Sequence, residues 1–113
     1  MTCKLDQGQV SSPGANTTAT VTIGAPGAGE ANVLWRVDWS YSATPTAGTG
    51  NLTISDGSAT VYELDIAAAG PGSVDFPNGS WADPNVVVTV ALNAGGTSVL
   101  GKVNVQTSVE SAR

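Results

Sequence analysis

Val86-Val87-Val88-Thr89-Val90-Ala91-Leu92, then Asn93-Ala94-Gly95-Gly96-Thr97-Ser98, then Val99-Leu100-Gly101-Lys102-Val103-Asn104-Val105: the reading of this stretch decides the fold class. β-Branched residues dominate both arms, and such side chains suit a pleated strand. Gly-Gly between two such arms predicts a hairpin, because a tight primed turn needs positive φ. Val86, Val88, Val90 and Leu92 are even-numbered, whereas Val99, Val103 and Val105 are odd. Directly opposed residues share a face, so the connecting loop must have even length. A turn at Gly95-Gly96 sets Leu92 opposite Val99 and Gly101 opposite Val90. Gly101 then leaves a gap on the core face, and Trp35 or Trp39 is expected to cover it.

The rest of the chain should bury this hairpin. In Asn32–Ser42, Val33, Trp35, Val37, Trp39 and Tyr41 alternate with Leu34, Arg36, Asp38, Ser40 and Ser42. Strict period two predicts a strand with the aromatic face on the core. Thr17–Ile23 alternates too, with Ala19, Val21 and Ile23 on one side. Leu52–Ile54 and Thr60–Ile66 form a second expected hairpin. Leu52, Ile54, Tyr62, Leu64 and Ile66 are all even, so this loop must be odd. Ser55-Asp56-Gly57 with Gly57 left-handed, as in a G1 bulge, satisfies that. A register slip of one residue would turn Glu63 and Asp65 inward. Ala67–Gly72 reads as a loop, Ser73–Phe76 as a short strand, and Pro77-Asn78-Gly79-Ser80 as a turn.

About seven short strands with Gly/Pro-rich connections point to an all-β antiparallel sandwich. No helical periodicity of useful length appears, which excludes α/β crossovers. A jelly-roll-like order is expected. The alternative is an immunoglobulin-like sandwich, but with one cysteine its Cys…Trp…Cys signature cannot form. Residues 1–15 are expected to be a flexible N-terminal arm, 16–106 the sandwich, and 107–113 a polar C-terminal tail.

The chain has 113 residues, enough for one domain with a core of its own. Hydrophobic residues make up 41% and follow strand periodicity, so the low charged fraction of 12% does not signal disorder. Net charge is −5, and the four basic residues, Lys4, Arg36, Lys102 and Arg113, are scattered. A basic stripe is absent, so neither nucleic acid nor an anionic membrane is an expected partner. One cysteine permits no internal disulfide, which suits a reducing cytoplasm. No charged-then-apolar leader opens the chain, so no signal peptide is expected.

Chemistry is sparse. There is no histidine, which removes the commonest general base. Cys3 therefore lacks an activating partner of that type. Glu63 and Asp65 share one strand face at a spacing of roughly 6.6 Å. That is compatible with the about 5–9.5 Å of a glycosidase pair, but exposed strand carboxylates are commonly just solvated. Asp56, Asp75 and Asp83 read as turn residues bonding their own backbone rather than gathering around calcium. No catalytic residue, metal site or cofactor is expected, and the protein reads as not an enzyme. Trp81 lies outside the alternating strands, where it serves either as a stacking or interface anchor or as a plug for the sandwich end. Tyr41 is the second candidate contact residue.

The runs Trp39-Ser40-Tyr41-Ser42-Ala43-Thr44-Pro45-Thr46-Ala47-Gly48, Asn51-Leu52-Thr53-Ile54-Ser55-Asp56-Gly57, Asp65-Ile66-Ala67-Ala68-Ala69-Gly70-Pro71 and Val88-Thr89-Val90-Ala91-Leu92-Asn93-Ala94-Gly95-Gly96 resemble small proteins encoded among tailed-bacteriophage structural genes. The similarity covers residues 33–105. It implies a virion accessory protein, a capsid decoration protein of β-sandwich type assembled in the host cytoplasm. On that resemblance the partner is the major capsid protein of the virion. The protein would be a homo-oligomer, a trimer at a threefold site, and would stabilise the mature shell by binding its outer surface. The resemblance transfers no functional residues. The alternative function is a carbohydrate-binding or host-attachment (fibre or spike) module using Trp81 or Tyr41.

Overall fold

A computed structural model describes residues 8–111. The expectations placed on Cys3, on Lys4 and Arg113, and on the outermost parts of the arm and tail lie outside these residues. The strands are β1 (Gly8–Ser11), β2 (Ala19–Ile23), β3 (Glu30–Tyr41), β4 (Asn51–Asp56), β5 (Ala59–Asp65), β6 (Gly70–Trp81), β7 (Val88–Leu92) and β8 (Gly101–Ser111). One sheet runs β1-β8-β3-β6 and the other β2-β7-β4-β5. β4 pairs with β5, β3 with β6, β2 with β7 and β1 with β8, all antiparallel. This nesting is one long hairpin, closed at β4–β5 and rolled into two layers, and it is the jelly-roll order. It excludes the immunoglobulin-like alternative, whose sheets group the strands differently. Among the described residues no helix is long and apolar enough to cross a membrane.

The stretch Val86–Val105 is not a hairpin. β7 pairs with β2 and β4, while β8 pairs with β1 and β3. Residues 93–100 carry the chain from one sheet to the other. Both arms still turn their apolar side chains inward: Val88, Val90, Leu92, Val103 and Val105 are buried in one cluster. They meet across the sandwich instead of along a ladder. Period two reports which face is buried, and it is silent on which strand lies alongside.

The gap at Gly101 exists, but a different aromatic fills it. Gly101 pairs with Tyr41 of β3, and a methyl group there would lie 3.2 Å from Leu92 Cδ2 and 3.4 Å from Tyr41 Cε1. Trp39 instead covers Gly72, its cross-strand neighbour in β6. Trp35 is displaced by a bulge, because register slips between Leu34 and Arg36 against both neighbours. Leu34 therefore joins Val37 and Tyr41 in the core, against the expectation that it faces outward. Trp35 Nε1 donates to Ser108 Oγ at 2.8 Å.

β4 and β5 align Leu52 with Leu64 and Ile54 with Tyr62, as parity requires. The turn differs. Asp56 pairs with Ala59, leaving Gly57-Ser58 as a two-residue turn with φ of 65° at Gly57. The odd residue is Val61, bulged between the partners of Ile54 and Ser55. Three boundaries are also corrected. β1 lies within the expected arm, β6 begins at Gly70 inside the expected loop, and β8 runs through most of the expected tail to Ser111. Each of those segments is polar or rich in Gly and Pro, yet forms or extends a strand by pairing with an apolar neighbour; Pro71 is tolerated because β6 is an edge strand.

Candidate functional site

Trp81 ends β6, opposite Val33 of β3. Pairing fixes its backbone and leaves its side chain 45% exposed. The segment after it is tied down by Asn32, a buried polar residue in β3. Ala82 N donates to Asn32 O at 2.9 Å, and Asn32 Nδ2 donates to Gly24 O at 3.0 Å and Val86 O at 3.2 Å. Burial of an amide with both protons satisfied is a strong anchor.

Trp81 borders a cleft of about 270 Å³ at this end of the sandwich. Leu34, Ile54 and Val88 line its inner side, and Tyr62, Val61 and Phe76 line its walls. Tyr62 and Phe76 meet edge to face, ring centroids 5.9 Å apart at 84°, a favoured aromatic geometry. Both edge strands are irregular beside the cleft. Val61 is the β5 bulge, and residues 76–79 of β6 stand opposite Trp35 alone. Bulges re-aim side chains and interrupt pairing, and here they keep the two edges from closing over the gap.

Asp56, at the end of β4, supplies the polar element. Its Oδ2 accepts from Asp83 N at 3.0 Å. Its Oδ1 is buried and receives no hydrogen bond from the described residues. An acceptor in that position costs free energy until a donor reaches it. The cleft is therefore lined by an exposed indole, two further rings and Asp56, whose unpaired Oδ1 is itself buried. No Lys or Arg lines it. Sequence reading picked out Trp81 and missed Tyr62, Phe76 and Asp56. Tyr62 and Phe76 look like ordinary core positions, and nothing local distinguishes Asp56 from a self-bonded turn aspartate.

The other expected contact residue is elsewhere. Tyr41 is 1% exposed and belongs to the core, so it presents no ring to a ligand. Its hydroxyl donates to Asn93 O at 2.7 Å. Burial pushes its phenol above the ordinary value.

Of the carboxylates among the described residues, only Glu63 and Asp65 share a groove, and the rest lie apart from them. Glu63 and Asp65 are exposed on β5. They border a shallow groove with Thr18, Thr49, Asn51 and Thr53. Asn51 Nδ2 already donates to Asp65 Oδ1 at 3.2 Å. Asp38 lies on the other sheet and binds Arg36 at 2.8 Å; Arg36 also binds Asp75 at 3.0 Å. The hydrogen bond and charge of Asp38, then the charge of Asp75, hold the guanidinium above its ordinary range. Asp75 thus sits in a strand pair and not in a turn. Among the described residues no group of three or more His, Cys, Asp or Glu is placed to hold a metal.

No family model matches the chain, and no curated protein matches it in sequence. Solved structures with similar backbones are known. The crystal structure of PirA superposes with a TM-score of 0.53 at 10% identity, over 91% of this chain and 95% of that one. Dimeric latent PorU from Porphyromonas gingivalis gives 0.54 at 10% identity over 89% of this chain, which spans only 12% of PorU. The CBM36-1 domain of a multidomain xylanase from the hindgut metagenome of Trinervitermes trinervoides gives 0.49 at 8% identity, over 94% of this chain and 98% of that domain. At such identities PirA and PorU bear on the backbone alone: the chain is an antiparallel, two-sheet β-sandwich, with eight strands among the described residues.

Proposed function

We propose that this protein is a non-catalytic β-sandwich module that binds carbohydrate in the Trp81 cleft. One observation carries the reading: an exposed indole stands beside a buried carboxylate oxygen that lacks a donor. A sugar supplies both complements. Its C–H face stacks on an aromatic ring, and its hydroxyls donate to a carboxylate in charge-assisted bonds. Asp56 Oδ1 is buried, so this bond requires the side chain to turn toward the cleft, and a purely polar ligand would gain nothing from Trp81.

The test is a glycan array probed with the wild-type protein and with Trp81→Ala. Signal on particular glycans that the substitution removes supports the proposal; no signal, or signal that survives it, contradicts it. The virion reading rests on the sequence resemblance over residues 33–105, and a glycan-binding module on a particle surface would suit host attachment. Co-sedimentation with undecorated capsids separates a shell partner from a glycan partner.

A further inference from the structure

Resting on that reading, we infer that the cleft takes a single neutral sugar residue at the end of a glycan chain, and not a stretch of chain in passing. The shape of the cleft sets the first part. It opens at one end of the sandwich, between the edges β5 and β6, and reaches inward between the sheets. Its inner side is formed by Leu34, Ile54 and Val88, which are 2%, 3% and 1% exposed. Core side chains floor the cleft, so a ring enters it from the solvent side. The volume of about 270 Å³ falls below the about 300–1,000 Å³ of pockets that enclose drug-sized ligands. One ring fits, with Trp81 at the mouth stacking on it or on its neighbour. A more polar groove of about 450 Å³ lies on the outer face of the β2-β7-β4-β5 sheet, beside Glu63 and Asp65, but no aromatic side chain lines it.

Charge sets the second part. The charged residue lining the cleft is Asp56, beside Ser55 and Ser80, and Asp83 is attached to its carboxylate through its backbone N–H. No basic side chain lines the cleft to neutralise an acid. A uronate or a phosphorylated sugar would bring a second negative charge to a partly desolvated one, which is strongly unfavourable. A neutral pyranose brings hydroxyl donors instead.

The experiment uses soluble β-glucan, xylan, mannan and amylose, each intact and after partial hydrolysis at equal mass. Binding is read from the Trp81 indole N–H signal, assigned by its loss in Trp81→Phe. Neutral methyl glycosides and methyl glucuronide serve as competitors. On this inference, apparent affinity per gram rises in proportion to the chain ends created. Methyl glucuronide competes at least about ten-fold less well than the matching neutral glycoside, the size expected for one charge-dependent hydrogen bond. Asp56→Asn narrows that difference. Equal binding per gram before and after hydrolysis would overturn the chain-end assignment and leave the carbohydrate reading standing. Glucuronide competing as well as the neutral glycoside would overturn the neutrality assignment. No Trp81-dependent binding of any probe would overturn both this inference and the function on which it rests.

Discussion

The two ends of the sandwich treat their aromatic residues in opposite ways. At one end, Tyr41 is enclosed. Leu92 and Gly101 close around its ring, Gly95 allows the crossing loop to approach, and its hydroxyl is satisfied by Asn93 O. At the other end, Trp81 is left 45% exposed beside a cleft, and Asp56 Oδ1 lacks a donor. Each of these contacts lowers the energy of the fold, and the groove of about 490 Å³ at this end, beside Pro45 and Ile66, carries no aromatic side chain. The second end holds a cavity and an unpaired acceptor that stability alone would not maintain. The difference separates an aromatic that the fold encloses from one that it leaves exposed beside a cleft.

The comparison breaks first at Tyr41 if it breaks at all. Tyr41→Ala should cost about 3–5 kcal/mol, the range for deleting a buried ring, measured by urea unfolding. Trp81→Ala should cost no more than about 1 kcal/mol, since a half-exposed ring is little used by the fold. Comparable losses at both positions would erase the contrast. Gly101→Val should cost about 1–3 kcal/mol by overpacking against Leu92 and Tyr41; an unchanged melting temperature would refute the packing described.

Alkaline pH sharpens the same contrast. The Tyr41 phenol is raised above 10.0 by burial. Above that pH the unfolded chain loses the proton while the folded chain keeps it, so the unfolded state binds fewer protons and stability falls as pH rises. Below pH 10 both states hold the proton and the contribution is fully present. Tyr41→Phe should cost about 1 kcal/mol at neutral pH through the lost hydrogen bond. It should also flatten the decline above pH 10. An identical pH profile in the variant would place the titration elsewhere.

The smallest expected effect is at Asp56. Asp56→Asn keeps an acceptor for Asp83 N and exchanges the charged, unpaired oxygen for a neutral amide nitrogen in the same place. Stability should change by no more than about 0.5 kcal/mol, or rise slightly, while glycan binding weakens. A large loss of stability would make Asp56 a structural residue and remove it from the site.

Much of the closed end was legible in the residues, and little of the open one. Alternation placed Val88, Val90, Val103 and Val105 inward, and parity aligned Leu52 with Leu64, because burial acts on every second residue of a strand. Strand neighbours were not legible. β7 and β8 present the same inward pattern whether they share a ladder or face each other across the core. The bulges at Trp35 and Val61 break the alternation by one residue with no local signal, so Leu34 was assigned to the wrong face. Alternation placed Tyr41 on the core-facing side of its strand, where the structure has it, and nothing in that pattern supported its second assignment as a contact residue. Trp81 stood out as an aromatic outside any alternating run. Asp56 and the cleft arise from the meeting of five strands, which no single stretch records.

The most direct test is a two-dimensional NMR titration of the wild-type protein with the glycan that gives the strongest array signal. Shifts confined to the amides of residues 54–62 and 76–88 and to the Trp81 indole, with Tyr41, Gly95 and Gly101 unmoved, are predicted. Shifts centred on Thr53, Glu63 and Asp65, or on the Tyr41 end, would contradict the division of the molecule into a holding end and a binding end.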